Sequence, residues 1–214
     1  IYSLKDGKFV DDNGKSKGYT PSQISSLILS KLSDYTSKVK KAVITVPAQF
    51  ADRARGATLE AAKLSKLDVE LINEPTAAIL HYANMPNVSL NGRVMVFDLG
   101  GGTFDISIAK VIGKKVDIMT SVGDKHLGGQ DFDREIIKIL DKKYKKSKGK
   151  GLDHKDPVIL DIAERIKKLL STKEKVSEII EGPKGPLKID ISRKEFENSI
   201  DTFLEKIKMS MEDA

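Results

Sequence analysis

The amino-acid sequence predicts an α/β fold, and three observations carry that prediction. Short apolar, β-branched runs alternate with helical patterns through the first half, as in Ala42–Val46 (AVITV) and Val69–Ile72 (VELI). Three strand-like runs then follow one another directly, joined by DLGGGT and IGKK, stretches too short for anything but hairpins. Helical periodicity returns at Gln130 and is interrupted by one further hairpin.

The elements follow in chain order. Residues 1–18 are polar and broken by Gly7, Asn13, Gly14 and Gly18, so an irregular segment with short strand pieces is expected. Thr20-Pro21 opens a helix: the Thr20 hydroxyl can cap it, and Pro21 stands where a missing N–H costs nothing. Ile24, Leu27, Ile28, Lys31 and Leu32 follow at helical spacing. AVITV, ended by Pro47, reads as a buried strand. Ala51–Lys66 is a helix with apolar Ala54, Leu59, Ala62 and Leu64, and Pro75 opens another, PTAAILHYA, that stops before Pro86.

Arg93–Asp98, Thr103–Val111 and Lys115–Val122 are the three consecutive strands. Gln130–Lys146 and Pro157–Ser171 are helices, the second with Ile159, Ile162, Ile166, Leu169 and Leu170 on one side. Lys175–Glu181 and Leu187–Ile191 form a hairpin around Gly182-Pro183-Lys184-Gly185. Ser192, with Glu195 three residues later, makes a capping box for a last helix to about Ser210.

Composition narrows the function classes. At 214 residues the prior is one or two domains. With 39% hydrophobic and 32% charged residues and no long apolar run, neither a membrane-spanning helix nor a disordered chain fits. The absence of cysteine excludes disulfides, thiol chemistry and a Cys-based zinc site, and three scattered histidines make a poor metal cluster. The chain opens on Ile1 with no visible signal peptide, which leaves its true start open. The formal net charge of +6 resides entirely in residues 138–150, where seven lysines face only Asp141. That run reads as a solvated helix end, so no nucleic-acid partner is expected, and no membrane.

The strongest local signal is Asp98-Leu-Gly-Gly-Gly-Thr103-Phe-Asp105 between two apolar strands. Three consecutive glycines leave backbone N–H groups uncovered and are expected to let the chain turn through positive φ, a loop that can wrap a phosphate. Asp98 can hold water on a magnesium ion or orient an attacking water, and Thr103 offers a hydroxyl to a terminal phosphate. The bland alternative is a flexible hairpin turn; the flanking Asp and Thr favour phosphate. The loop is neither a Walker A sequence nor a dinucleotide fingerprint.

With these residues in view, VMVFDLGGGTFDISI resembles the second phosphate loop of the seventy-kilodalton heat-shock chaperones, the DnaK-type family. AVITVPAQFADRARGAT, LINEPTAAIL, GDKHLGGQDFD and AERIKKLLS resemble further segments of that family in its own order, so the similarity runs from about Tyr19 to Ala214. The resemblance implies an actin-like ATPase (ribonuclease H-like) fold, here as pieces of both lobes of a nucleotide-binding domain. Residues 1–18 would be a remnant of the first lobe's outer subdomain and 19–90 part of its inner one. Residues 91–127 would belong to the second lobe's inner subdomain, 128–206 to its outer one, and 207–214 would return to the inner one.

The resemblance also implies site residues. Gly100, Gly101, Gly102 and Thr103 would contact the β- and γ-phosphates of ATP or ADP, and Gly128 and Gly129 would approach them from the second lobe. Asp98 and Glu74 would act through magnesium-bound or attacking water, with no direct metal ligand. Glu164 and Lys167 would hold the ribose hydroxyls, with Lys168 and Ser171 beside adenine. These four share one helical face, which taken alone reads equally as a solvated charged stripe. Pro47 would lie on the cleft side of the first lobe and, with Arg55, would serve communication between domains. Taken alone, Pro47 is a strand stop, Glu74 a pre-proline turn and Arg55 a surface helix residue. Asp105 is assigned no chemistry.

The implied function is ATP-driven protein folding, with nucleotide hydrolysis controlling peptide binding. Unfolded polypeptides would be clients through a domain not present here, and a J-domain co-chaperone and a nucleotide exchange factor would be partners. A non-hydrolysing relative acting as scaffold is the alternative. Gln49, Ala51, Lys125 and Lys168 stand where the family usually has Tyr, Asn, Thr and, in some members, Arg. The family's first phosphate loop and catalytic lysine do not occur in the sequence, so the expectation is an inactive fragment of an ATPase, cytoplasmic, with an organelle or the endoplasmic reticulum as alternatives.

Overall fold

The computed structural model describes residues 3–5, 8–10, 18–36 and 39–214. The expected breaks at Gly7, Asn13 and Gly14 lie outside the described residues. Strands β1 (Ser3–Lys5) and β2 (Lys8–Val10) pair antiparallel, with Leu4 opposite Phe9. The chain divides into two compact units. The first comprises residues 1–94 and 109–119, and the second residues 95–108 and 120–214.

In the first unit, α1 (Pro21–Tyr35) starts on a reciprocal capping box: Gln23 N–H donates to Thr20 Oγ1, and Thr20 N–H donates to Gln23 Oε1 at 2.8 Å. Its apolar residues do not form its buried face. Ser22 and Ser26 are buried, whereas Leu27, Ile28 and Leu32 are 58%, 57% and 54% exposed. The small serines let α1 pack closely on α2 (Asp52–Leu64), and Ser26 Oγ satisfies itself on Gln23 O.

Strand β3 (Lys41–Val46) and β4 (Asp68–Asn73) pair in parallel, Lys41 opposite Asp68, with α2 as the crossover. They make a sheet of two strands, and that corrects the expectation of a buried strand: only Val46 of β3 is buried, and Val43 is 65% exposed. A β-branched run has the propensity for a strand, but without further strands or a covering helix on that face it has nothing to be buried against. Asn73 precedes α3 (Glu74–Ala83), with Pro75 in its first turn.

Strands β5 (Gly92–Leu99), β6 (Phe104–Ile112) and β7 (Lys115–Asp124) are hydrogen-bonded in that order. Gly113, at φ +59°, makes the tight β6–β7 turn and donates its N–H to Asn91 Oδ1. Ser107 and Ser121 hydroxyls meet across β6 and β7 at 2.9 Å.

The second unit holds the main core. Helix α4 (Gly129–Lys148) contributes Ile136, Ile137, Leu140 and Tyr144, and α5 (Pro157–Leu170) contributes Ile159, Ile162, Ile166 and Leu170. The hairpin β8 (Lys175–Gly182) and β9 (Gly185–Ser192) adds Val176, Ile180, Ile189 and Ile191, and α6 (Arg193–Asp213) adds Phe196 and Ile200. Tyr144 is wholly buried; its hydroxyl donates to Gly185 O and accepts from Lys184 N–H. A Cβ on Gly182 would stand 2.4 Å from the Tyr144 ring, so that glycine is required by packing.

A smaller cluster joins Phe104 and Ile106 of β6 with Leu127, just before α4, and Ile207 of α6, which fixes the glycine-loop end of the β5–β6 hairpin. The predicted capping box at Ser192 forms by half. Ser192 Oγ accepts from Glu195 N–H, but the Glu195 carboxylate is taken by Lys143 at 2.7 Å. The lysine run ends α4 as a solvated, dipole-favoured terminus, closed by Gly149 at φ +74°.

Candidate phosphate-binding site

The loop between β5 and β6 is closed by Gly100 N–H donating to Thr103 O at 2.9 Å. None of Gly100, Gly101 and Gly102 adopts a positive φ, which corrects the expected reason for the triplet. What holds the loop is the start of α4: Gly129 N–H donates to Gly100 O at 2.9 Å and Gln130 N–H to Gly101 O at 2.8 Å. The helix thereby spends two N-terminal donors on loop carbonyls.

A trans peptide sets its C=O and N–H on opposite sides. With the carbonyls of Gly100 and Gly101 turned to α4, the N–H groups of Gly101 and Gly102 face the other way, and neither has a protein acceptor among the described residues. The two peptides form a pair of free donors suited to an anion. Space agrees: a Cβ on Gly101 or Gly102 would meet nothing within 4 Å.

The tightest glycine in the site is Gly128. A Cβ there would stand 2.5 Å from Gly102 N and 2.6 Å from Gly101 C, so only glycine lets α4 approach the loop. Gly128 N–H is held by Asp131 Oδ2 at 2.9 Å, and Asp131 is itself paired to Arg134. Gly128 and Gly129 thus brace the loop from behind.

Asp98 at the end of β5 is exposed, as is Thr103. Asp105 on β6 is half-buried, and its carboxyl is held above the ordinary range, first by burial and then by the charge of Asp98, with Lys125 opposing. Asp105 is the carboxylate that the sequence reading left without a role. Its signal was the symmetric spacing D-L-GGGT-F-D, which sets Asp98 and Asp105 at equal distances from the hairpin's centre. Among the described residues no cluster of three or more His, Asp or Glu suits a metal ion.

Helix α5 carries the four predicted nucleoside contacts, and the structure treats them unequally. Glu164 and Lys168 are exposed and pair at 2.7 Å, a pairing that lowers the Glu164 carboxyl and raises the Lys168 ammonium from their ordinary values. Ser171 is the exposed C-cap. Lys167 turns inward: its ammonium donates to Gly129 O at 3.0 Å and lies 2.8 Å from Asp133 Oδ1. Asp133, buried near the start of α4, also escaped the sequence reading.

The remaining predicted residues belong to the first unit. Arg55 of α2 is more than a surface residue: it donates to Phe50 O at 2.9 Å, to Ala48 O at 3.4 Å and to Asn73 Oδ1 at 2.6 Å. It ties the loop after Pro47, itself turned by Phe50 N–H on Pro47 O, to the end of β4. Glu74 is the first residue of α3, directly after that tie.

A strand–glycine loop–strand unit braced by a helix, in a mixed α/β chain, is the frame of a candidate phosphate-binding domain. The family model described as Hsp70 protein matches residues 2–214, and the chain belongs to that family. The fold is therefore that of the family's actin-like nucleotide-binding domain, and its function is that of an ATP-binding and ATP-hydrolysing chaperone domain, serving client proteins with co-chaperones. No described helix is long and apolar enough to cross a membrane.

Proposed function

We propose that the second unit binds ATP with its phosphates on the Asp98–Thr103 loop and its nucleoside against α5, as the binding half of an ATPase whose hydrolysis switches affinity for unfolded polypeptide. The observation that carries this reading is the orientation of the loop peptides, with both carbonyls bound by α4 and the amides of Gly101 and Gly102 left for the β- and γ-phosphates. Such fixed donors stabilise transferring phosphoryl charge without reorganising. Thr103 supplies a hydroxyl at the loop's far end, and Asp98 orients the water that attacks. Glu164, Lys168 and Ser171 lie exposed on α5 for ribose and adenine.

The donor set suits magnesium held through water. The Asp105 carboxyl is held above the ordinary range first by burial and then by the charge of Asp98, and a nearby cation would ease the second of these causes. With no third carboxylate or histidine clustered among the described residues, Asp98 would be the principal holder within the second unit, by way of water. Bound magnesium would neutralise phosphate charge. In the first unit Arg55 locks the Pro47 loop to Asn73, a rigid link suited to passing a change at Glu74 onward. A J-domain co-chaperone and a nucleotide exchange factor are the proposed partners of this switch.

Substituting Gly101→Val tests the loop. Its Cβ has open space, so the fold survives with little change in melting temperature. The branched side chain covers the amides, and ATP affinity measured by calorimetry falls by about tenfold or more, the worth of one or two charge-assisted hydrogen bonds. Unchanged affinity in the folded variant removes the loop from the site.

A further inference from the structure

Lys167 links two parts of the site that are far apart in sequence. An ammonium has three N–H donors. One goes to Gly129 O at 3.0 Å, and the charge rests 2.8 Å from Asp133 Oδ1. Gly129 N–H in turn donates to Gly100 O, so a continuous run of contacts joins α5, the start of α4 and the phosphate loop.

Asp133 is only 9% exposed, and its Oδ1 meets no aligned hydrogen-bond donor among the described residues, so the contact with Lys167 is one of charge more than of geometry. Burying a carboxylate this way is expensive, and such a pair adds little to stability compared with apolar packing. A lysine stem is otherwise free to swing its ammonium into water. The carboxylate removes that freedom.

We propose that Asp133 is a positioning residue for nucleotide binding: it pins the Lys167 ammonium to the α4 N-terminus, so that the lysine meets the sugar of a nucleotide whose phosphates lie on the same braced loop. The inference rests on the reading of Lys167 as a ribose contact. It makes Asp133 act only through Lys167, and only on ligands that carry the nucleoside.

The test measures ATP and inorganic pyrophosphate binding, by competition against a fluorescent ATP analogue, in the full chain and in Lys167→Met, Asp133→Asn and the double variant. Each single change weakens ATP by about tenfold, as expected for a hydrogen bond to a charged group. The double variant is no weaker than Lys167→Met, and pyrophosphate binding changes by less than about twofold in all three, because no contact with the sugar is involved. An effect of Asp133→Asn that persists in the Lys167→Met background, or that weakens pyrophosphate equally, overturns the proposal by showing action through the fold. Full ATP affinity in Asp133→Asn, with loss in Lys167→Met, overturns it while leaving the site reading intact. Full affinity in Lys167→Met overturns the site reading as well. Should Asp133→Asn fail to fold, Asp133→Glu keeps the charge and displaces it by one methylene; weaker ATP with unchanged pyrophosphate then supports the proposal, and unchanged ATP overturns it.

Discussion

The chain contains two short sheets of similar β-branched composition, β3–β4 and β8–β9, and they end in opposite states. In β8–β9 the alternating Val176, Ile180, Ile189 and Ile191 are all buried, because α4 and α5 bring wide apolar stripes to that face. In β3–β4 only Val46 is buried, while Val43 on the same strand is 65% exposed and α1 turns Leu27, Ile28 and Leu32 outward. The strand pattern decides that a strand forms. The size and shape of the covering helix decide whether it becomes a core.

The largest effect that tests this contrast comes from paired truncations. Ile137→Ala, in the second unit's core at 2% exposure, lowers stability by about 2–5 kcal/mol through lost burial and a residual cavity. Val43→Ala lowers it by less than about 0.5 kcal/mol, as a surface change does. Urea denaturation reads both, and hydrogen exchange follows the same order, with Lys41–Val46 amides exchanging faster than those of Val176–Ile180. Equal losses would mean that β3 is covered after all, and the comparison breaks.

A middle-sized effect tests how the closed half is locked. Tyr144→Phe keeps the ring against Gly182 but removes the hydroxyl that serves both Gly185 O and Lys184 N–H. Leaving those turn groups short of a partner costs about 1–2 kcal/mol, read as a lower urea midpoint. A wild-type midpoint would show that water replaces the hydroxyl at no cost.

The smallest effect contrasts two carboxylates by their pH response. Asp190 is held below its ordinary value of 3.8, first by Lys175 and then by Ser177. Its contribution is therefore present above 3.8 and is lost as pH falls through the lower, folded value. Asp105 is held above 3.8 by burial and by Asp98, so its contribution is present below 3.8 and is lost as pH rises through the higher, folded value. In urea midpoints followed across the acid range, Asp190→Asn flattens the acid-side loss and Asp105→Asn flattens the loss on the way up. Two substitutions with the same sign would contradict the assigned environments.

Much of the chain is legible from local chemistry. Thr20-Pro21 starts a helix, Pro75 another, Ser192 a third, and Gly113 and Gly182–Gly185 turn hairpins, because caps and turns depend on neighbours within a few residues. The loop Asp98–Thr103 was legible for the same reason. Its cause was misread: the triplet was expected to need positive φ, yet the chain passes through it without any, and the constrained glycine is Gly128, far along the sequence. Nor could a stripe of charges on α5 reveal that Lys167 turns inward while Glu164 and Lys168 pair outside.

The sequence by itself determined the order and kind of the elements, the glycine loop and the family, since these rest on residue types at short spacing. Tertiary structure alone decided which helix faces are buried, which glycine cannot carry a Cβ, which carboxylate holds its proton more tightly, and which lysine is pinned. Each of those depends on groups brought together from distant positions, as Lys167 and Gly129 are across 38 residues, where packing distance and desolvation, not propensity, set the outcome.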